Sequence, residues 1–404
     1  MQLSESRLKA DPKKIVIFGA GRIGRSFIGQ LFGSAGYKIV FIDVDQEIVR
    51  LLNERASYRV VIKGDTEQIL CISNISALHS SDTENVTDAV CSAGIAAVSV
   101  GKFALGKVIP VIAAGLEKRL FHNPFTPLDI ILAENHRSAA EFTKSELAVN
   151  LPADFPLESY VGLLETSIGK MVPIIPAAEI KKDPLVVFAE PYNTLILDAK
   201  GFRNSIPVVK GLAPKENIKA WVDRKAFIHN LGHATAAYYG YYLHPEMIYM
   251  YEILDDERVS DFTRKVMLQS AAILAKAYPA DLPLSDLEEH VDDLIRRFRN
   301  KALQDTVYRV GSDLIRKLGI DDRFMGAISL AVEYGMPYNL IVKATAYGFR
   351  FKAEDERGLM FQDDIKFHET AEKDLNSTFT SLLNFDPVRE SKIISEITFC
   401  LKEI

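Results

Sequence analysis

The chain has 404 residues, 48% of them hydrophobic, which favours two or three domains with real cores, and its net charge of −6 gives no basic footprint for nucleic acid. Its three cysteines, Cys71, Cys91 and Cys400, are scattered and odd in number, so neither a disulfide framework nor a thiolate metal site is expected and the reducing cytoplasm is the natural compartment. The first twelve residues lack the apolar segment of a secretion signal, and no apolar run approaches the ~18 residues of a membrane helix.

Lys14–Phe18, K-I-V-I-F, reads as a buried strand. It runs into Gly19-Ala20-Gly21-Arg22-Ile23-Gly24, a G-x-G-x-x-G, and then into a stretch with helical spacing of Ile23, Phe27, Ile28, Leu31 and Phe32 that ends at Gly36. Residues 38–42 form a second strand closed by Asp43, 19 residues after Gly24. A glycine turn in this setting is a dinucleotide fingerprint. The first glycine permits the tight turn, the second lets backbone approach a pyrophosphate, and the third allows close helix–strand packing, while the helix N-terminus attracts the phosphates. Asp43 would accept hydrogen bonds from ribose hydroxyls and repel a 2′-phosphate, so NAD is expected rather than NADP. Arg22 would either lean on the pyrophosphate or project into solvent.

The α/β pattern continues. Residues 58–62 read as a strand, and residues 95–100 as a buried strand whose end, Val100 and Gly101, would lie near the nicotinamide. A helix over 103–121 precedes a strand over 128–133 that ends in Glu134-Asn135-His136. Asn135, at the C-terminal end of a sheet strand, is a candidate for substrate or nicotinamide contact, with loop capping as its alternative. Residues 186–189 and 194–197 read as further strands extending the same sheet. After Pro214 strand patterns give way to helical ones, with Ile206-Pro207 as the earlier punctuation. The expected layout is an α/β Rossmann-like nucleotide-binding domain over 1–205 and a mostly α-helical domain over 206–404. Residues 281–299 hold an amphipathic helix that buries Leu287, Val291, Leu294, Ile295 and Phe298 and solvates its charges.

Residues 221–242 (W-V-D-R-K-A-F-I-H-N-L-G-H-A-T-A-A-Y-Y-G-Y-Y) form the stretch in which the chemistry concentrates. Read as one α-helix at ~100° per residue, it places Asn230 about 140° and His233 about 80° from Lys225. Polar groups on a flank rich in Ala, Tyr and Leu point to a lined cleft between the domains. Desolvation there would lower the pKa of a lysine toward one useful for proton transfer, and Asn and His could hydrogen-bond a substrate oxygen. A satisfied polar seam between helices is the alternative.

Several blocks resemble the polyol-specific long-chain dehydrogenases. They are F-G-A-G-R-I-G-R-S-F-I-G at 18–29, D-V-D at 43–45, S-Y-R-V at 57–60 and A-E-N at 133–135. The K-x-x-x-x-N-x-x-H of Lys225, Asn230 and His233 follows, then R-F-R-N-K-A-L-Q-D-T-V-Y-R-V-G at 297–311, R-K-L-G at 316–319 and E-Y-G-M-P-Y-N-L-I-V-K-A-T-A-Y-G-F-R-F at 333–351. The last block is similar to the branch acting on mannitol 1-phosphate. The resemblance implies zinc-independent, NAD-linked interconversion of mannitol 1-phosphate and fructose 6-phosphate by a monomer or homodimer. Lys225 would be the general base, with Asn230, His233 and Asn135 binding the reacting oxygen. Phosphate needs cations, and Lys343 and Arg350 are the candidates in the last block, with Arg316 and Lys317 behind them. The chain departs from the family pattern at Gly169, where an acid is usual, at Gly311-Ser312-Asp313-Leu314 in place of G-R-D-P, and at Tyr338 in place of His. The loss of the acid motivates an alternative substrate, an unphosphorylated polyol or a uronate-derived hydroxy acid. A non-catalytic NAD-binding regulator is a further alternative.

Overall fold

The computed structural model describes residues 8–64, 66–134 and 138–404. The chain forms two compact units, Met1–Ile218 and Lys219–Ile404. No helix among the described residues is long and apolar enough to cross a membrane.

The first unit is built on eleven strands: β1 (Lys14–Phe18), β2 (Lys38–Asp43), β3 (Ser57–Lys63), β4 (Glu67–Ser73), β5 (Ile75–His79), β6 (Ile95–Val98), β7 (Leu128–Leu132), β8 (Val161–Ser167), β9 (Val187–Ala189), β10 (Leu195–Asp198) and β11 (Leu212–Lys215). Eight of them make one sheet in the order β11-β10-β8-β7-β6-β1-β2-β5. β1 lies between β2 and β6, parallel to both. The chain steps one way through β1, β2 and β5 and the other way through β6, β7 and β8. The strand order therefore reverses between β1 and β6, and in open α/β sheets a ligand crevice forms at the C-terminal ends of such a pair.

Both faces of this sheet are covered, which is why β1 reads as an unbroken apolar run. Ile15, Ile17, Ile39 and Phe41 pack with Phe27, Ile28, Leu31 and Phe32 on one side. Val16, Phe18, Val40 and Ile42 pack with Val86, Leu105, Ile109 and Leu116 on the other.

Two expectations change here. The strand expected over 186–189 does not extend the main sheet. It forms β9, which pairs in parallel with β3, while β3 pairs antiparallel with β4, giving a separate three-stranded sheet. Val61, Val186 and Phe188 form a small core on one face of it, and Val60, Val187 and Ala189 join the main core from the other. The strand expected over 194–197 does join the main sheet as β10, antiparallel to β8. β11 pairs with β10, so the sheet runs past the boundary expected at residue 205.

The second unit is largely helical. The stretch expected as one α-helix over 221–242 has three parts: α1 (Ile218–Arg224), a π-helical turn over Lys225–Asn230, and α2 (Leu231–Leu243). α2 is mostly apolar and mostly buried from Leu231 to Gly240, while Tyr242 near its end is exposed. Its glycines allow close helix contacts, since a Cβ on Gly232 would collide with Met267 and one on Gly240 with Ile253. Around it stand α3 (Glu257–Ala277), α4 (Leu284–Phe298), α5 (Arg323–Glu333) and α6 (Asn339–Gly348), with α7 (Ser391–Glu403) packed on α6. α4 buries Leu287, Val291, Leu294 and Phe298, as its spacing predicts, while Ile295 is only half-buried.

Candidate active site

In the first unit the glycine turn sits at the C-terminal end of β1. Gly19 has φ +95°, and a Cβ there would come within 2.5 Å of the Ser99 carbonyl oxygen. A Cβ on Gly24 would strike the Gly19 carbonyl. Gly21 is different, because a Cβ there would meet nothing within 4 Å. Gly19 and Gly24 thus interlock the turn, and Gly21 borders the open side, where backbone can approach a phosphate. Ile23 is half-buried against the core, and Arg22 is exposed.

Asp43 closes β2 beside this turn. Its Oδ2 accepts from the Ala20 N–H at 2.6 Å and its Oδ1 from the Asp45 N–H at 2.9 Å. A carboxylate offers about four lone-pair sites, so acceptor capacity remains for hydroxyl groups. Arg25, which the sequence reading passed over, lies buried behind the turn. It donates through Nε to the Ala20 carbonyl and through Nη1 to the Leu185 carbonyl, both at 2.6 Å.

The amides of Val100 and Gly101 both donate to Glu134 Oε1, at 2.7 and 3.0 Å. Those two residues can therefore meet a cofactor only through carbonyl or van der Waals contacts. Burial raises the Glu134 carboxyl, with the two amides opposing that shift. Asn135, the expected partner of the reacting oxygen, lies outside the described residues. Near Gly169 the buried Lys170 donates to Gln30 Oε1 at 2.9 Å and to Asn193 Oδ1 at 2.7 Å.

In the second unit Lys225 and Asn230 open and close the π turn. Bonding from i to i+5 brings residues five apart nearly into line, so Asn230 sits closer over Lys225 than the ~140° of an α-helix would put it. The half-buried Lys225 ammonium is held down at about 8 by lost hydration and by the Arg323 guanidinium, against the pull of Asp322.

The His233 ring stacks on Phe298, centroids 4.4 Å apart and planes 7° from parallel. Its Nε2 is buried and makes no hydrogen bond among the described residues, with Asp305 Oδ2 3.8 Å away. Burial, then Arg309, Lys317, Arg323 and Arg297, hold the His233 imidazole well below its ordinary value, so it is neutral near pH 7. A buried ring nitrogen without a partner costs stability unless something else is meant to meet it. The segment thus presents an amine able to exchange a proton near neutral pH and a neutral imidazole able to hydrogen-bond an oxygen.

The cations around His233 were only partly foreseen. Arg309 pairs with Asp305, and the buried Lys317 donates to the Val310 and Ser312 carbonyls. Arg323 came from no local signal, since 98 residues separate it from Lys225. Lys343 and Arg350, the expected phosphate anchors, are both exposed, and Arg350 donates to the Leu401 carbonyl of α7 at 2.9 Å.

A glycine turn at the switch point of a parallel sheet, in one chain with a helical unit bearing a depressed lysine, is the arrangement of an NAD-dependent dehydrogenase. Comparison with known proteins gives the particular kind. The family models described as Mannitol dehydrogenase Rossmann domain and Mannitol dehydrogenase C-terminal domain match residues 13–211 and 217–399. The chain belongs to the mannitol dehydrogenase family, and it is an NAD-dependent polyol dehydrogenase acting on a secondary alcohol. It is 35% identical over 356 residues to the mannitol-1-phosphate 5-dehydrogenase of Geobacillus stearothermophilus, covering 87% of this chain and 91% of that one. Among solved structures it is similar to D-mandelate dehydrogenase with NADH and anilino(oxo)acetate, at 14% identity and TM-score 0.48, covering 83% of this chain and 97% of that one. Octopine dehydrogenase in complex with NADH and agmatine is similar at 12% identity and TM-score 0.45, covering 92% and 98%.

Proposed function

We propose that the reaction is the interconversion of mannitol 1-phosphate and fructose 6-phosphate, with Lys225 as its proton-transfer group. The observation that carries this is the pairing, within nine residues, of a lysine at about 8 with a buried, neutral His233 whose Nε2 makes no hydrogen bond among the described residues. Gly19, Ala20, Gly21, Arg22, Ile23, Gly24 and Asp43 would hold the dinucleotide, with Val100 and Gly101 beside it. NAD, when bound, supplies the hydride acceptor. Neutral Lys225 Nζ takes the hydroxyl proton as the carbon loses hydride, and in the reverse direction its ammonium returns a proton to the ketone oxygen. Asn230, His233 and Asn135 donate hydrogen bonds to that oxygen as negative charge develops on it, a preorganised stabilisation that needs no metal in the step as drawn.

The phosphorylated substrate is supported by the name of the Geobacillus relative and by the cations that act on His233. Of these, Lys317 bonds two carbonyls and is held down at about 7 by burial and by Arg323 and Arg316, a shift that a phosphate would reverse, and with Arg309 it is our first choice for the phosphate. Lys343 and Arg350 are the second choice. An unphosphorylated ketose or a uronate is the competing substrate, favoured by Gly169, where Lys170 is spent on Gln30 and Asn193.

NADH oxidation with fructose 6-phosphate, fructose and fructuronate separates the two readings. Rapid turnover with the phosphate alone is expected. Turnover confined to an unphosphorylated ketose would discard the phosphate anchors but keep the Lys225 chemistry. A Lys225→Ala enzyme with wild-type turnover would remove Lys225 from its role, since losing a proton-transfer group costs roughly 10²–10⁴-fold.

A further inference from the structure

The π turn carries two of the proposed catalytic groups, and each of two neighbouring helices takes hold of one of its carbonyls. Ser270 of α3 donates to the Phe227 carbonyl at 2.6 Å in the interior. Arg323, the first residue of α5 and 8% exposed, donates through Nη1 to the Asn230 carbonyl at 3.2 Å. Its own orientation is fixed from behind, since its Nε donates to Asp322 Oδ1 at 2.8 Å. Asp322 also caps α5 by accepting from the Arg323 N–H at 2.7 Å. α5 is pressed against the turn one step further along, where Gly326 leaves the space that the Phe227 ring fills.

We propose that Arg323 is a positioning residue for the proton transfer: clamped by Asp322, it fixes the turn through the Asn230 carbonyl and keeps a permanent positive charge against the Lys225 amine. This rests on Lys225 being the proton-transfer group. Guanidinium suits the task because it is always charged and donates in a rigid fork, whereas an ammonium there would carry the charge without the fork. A fixed like charge destabilises the protonated amine and so enlarges the neutral fraction at working pH. The charge it opposes is Asp322, which pulls Lys225 the other way. On the turn itself Lys225 faces His229, which is buried and neutral and in turn faces Arg297 and His290 of α4 and His233 of α2. α3 contributes the uncharged Ser270 hydroxyl. Among these groups Arg323 is the one that both touches the turn and raises the proton-donating tendency of Lys225.

The test is the pH profile of kcat for alcohol oxidation in the full-length enzyme with saturating NAD, for wild type, Arg323→Gln, Arg323→Lys and Asp322→Asn. Wild type is expected to lose rate on the acid side of about 8. Arg323→Gln should move that limb up by about one pH unit, a tenfold loss on the acid side. Arg323→Lys should leave the limb near its wild-type position while lowering kcat, because the charge stays and the fork does not. Asp322→Asn should move the limb down. A limb that stays put in Arg323→Gln overturns the proposal. If that variant does not fold, a limb in Asp322→Asn that is unmoved or shifted upward overturns it instead. Failure of the underlying reading looks different: Lys225→Ala would then keep both turnover and the acid limb, whatever Arg323 does.

Discussion

At Lys225 function and stability oppose each other. The amine titrates at about 8 in the folded protein and near ~10.4 in an unfolded chain. Below about 8 both states carry the proton but the folded one binds it more weakly, so Lys225 destabilises the fold by its full amount there. That penalty fades as pH rises from about 8 to ~10.4. Lys225→Met should therefore abolish turnover yet raise the free energy of unfolding by about 1–3 kcal/mol at pH 7, with the gain shrinking above pH 8. Urea unfolding at pH 7 and pH 9.5 checks it, and a destabilised variant at pH 7 would mean that the ammonium is well compensated. With Lys225 as the proposed proton-transfer group, catalysis is expected to follow the same titration. Oxidation, using the neutral amine, should rise through about 8, and ketone reduction, using the ammonium, should fall through it.

At the scale of single elements, the informative one is the π turn. Residues 221–242 show strong helical character, and nothing in them marks the switch at Lys225 to i→i+5 bonding. The cause is tertiary: Phe227 enters the space left by Gly326, and Ser270 and Arg323 hold the Phe227 and Asn230 carbonyls. Gly326→Ala tests this coupling. In an exposed helix the change would gain ~1 kcal/mol of propensity, but here the methyl group would strike the Phe227 ring, and overpacking costs about 1–3 kcal/mol. The expected result is a net loss of stability together with a fall in kcat, because the displaced ring belongs to the segment that carries Lys225. A variant with unchanged kcat would detach α5 from the chemistry. The glycine turn, by contrast, was readable from the chain, because strand, turn, helix and acid are contiguous over residues 14–43. β4 was not, since most of it is exposed and only Ile72 is buried, which leaves little apolar alternation to detect. The clamp of Glu134 on Val100 and Gly101 was equally hidden, as it joins the ends of two different strands.

For the molecule as a whole, four histidines of the second unit share one property. His229, His233, His290 and His368 are all held below their ordinary value, chiefly by burial, His290 at about 3. Unfolded histidines titrate near ~6.5, so below that pH the unfolded chain takes up protons that the folded unit refuses, and stability falls as pH falls. Asp364 works the other way. Burial raises it to about 6, against the amides of Leu314 and Asp313, so the folded unit binds that one proton first. The four histidines outweigh the one aspartate, so the free energy of unfolding falls as pH drops below ~6.5. Denaturant midpoints at pH 7.5, 6.5 and 5.5 should drop steeply over the last step. A flat profile would mean that these imidazoles gain partners on acidification.

The Asp43 carboxylate, finally, serves two masters. It braces the Ala20 amide that shapes the glycine turn, and in the proposed reading it also accepts from the ribose hydroxyls and repels a 2′-phosphate. Under the proposed reading, trading Asp43 for an apolar residue would lift the repulsion of an extra phosphate but also unfasten the turn. Cofactor preference and the shape of the turn are then coupled through one carboxylate. An engineered route to NADP must remove the charge while keeping an acceptor for the Ala20 amide, as an amide side chain could.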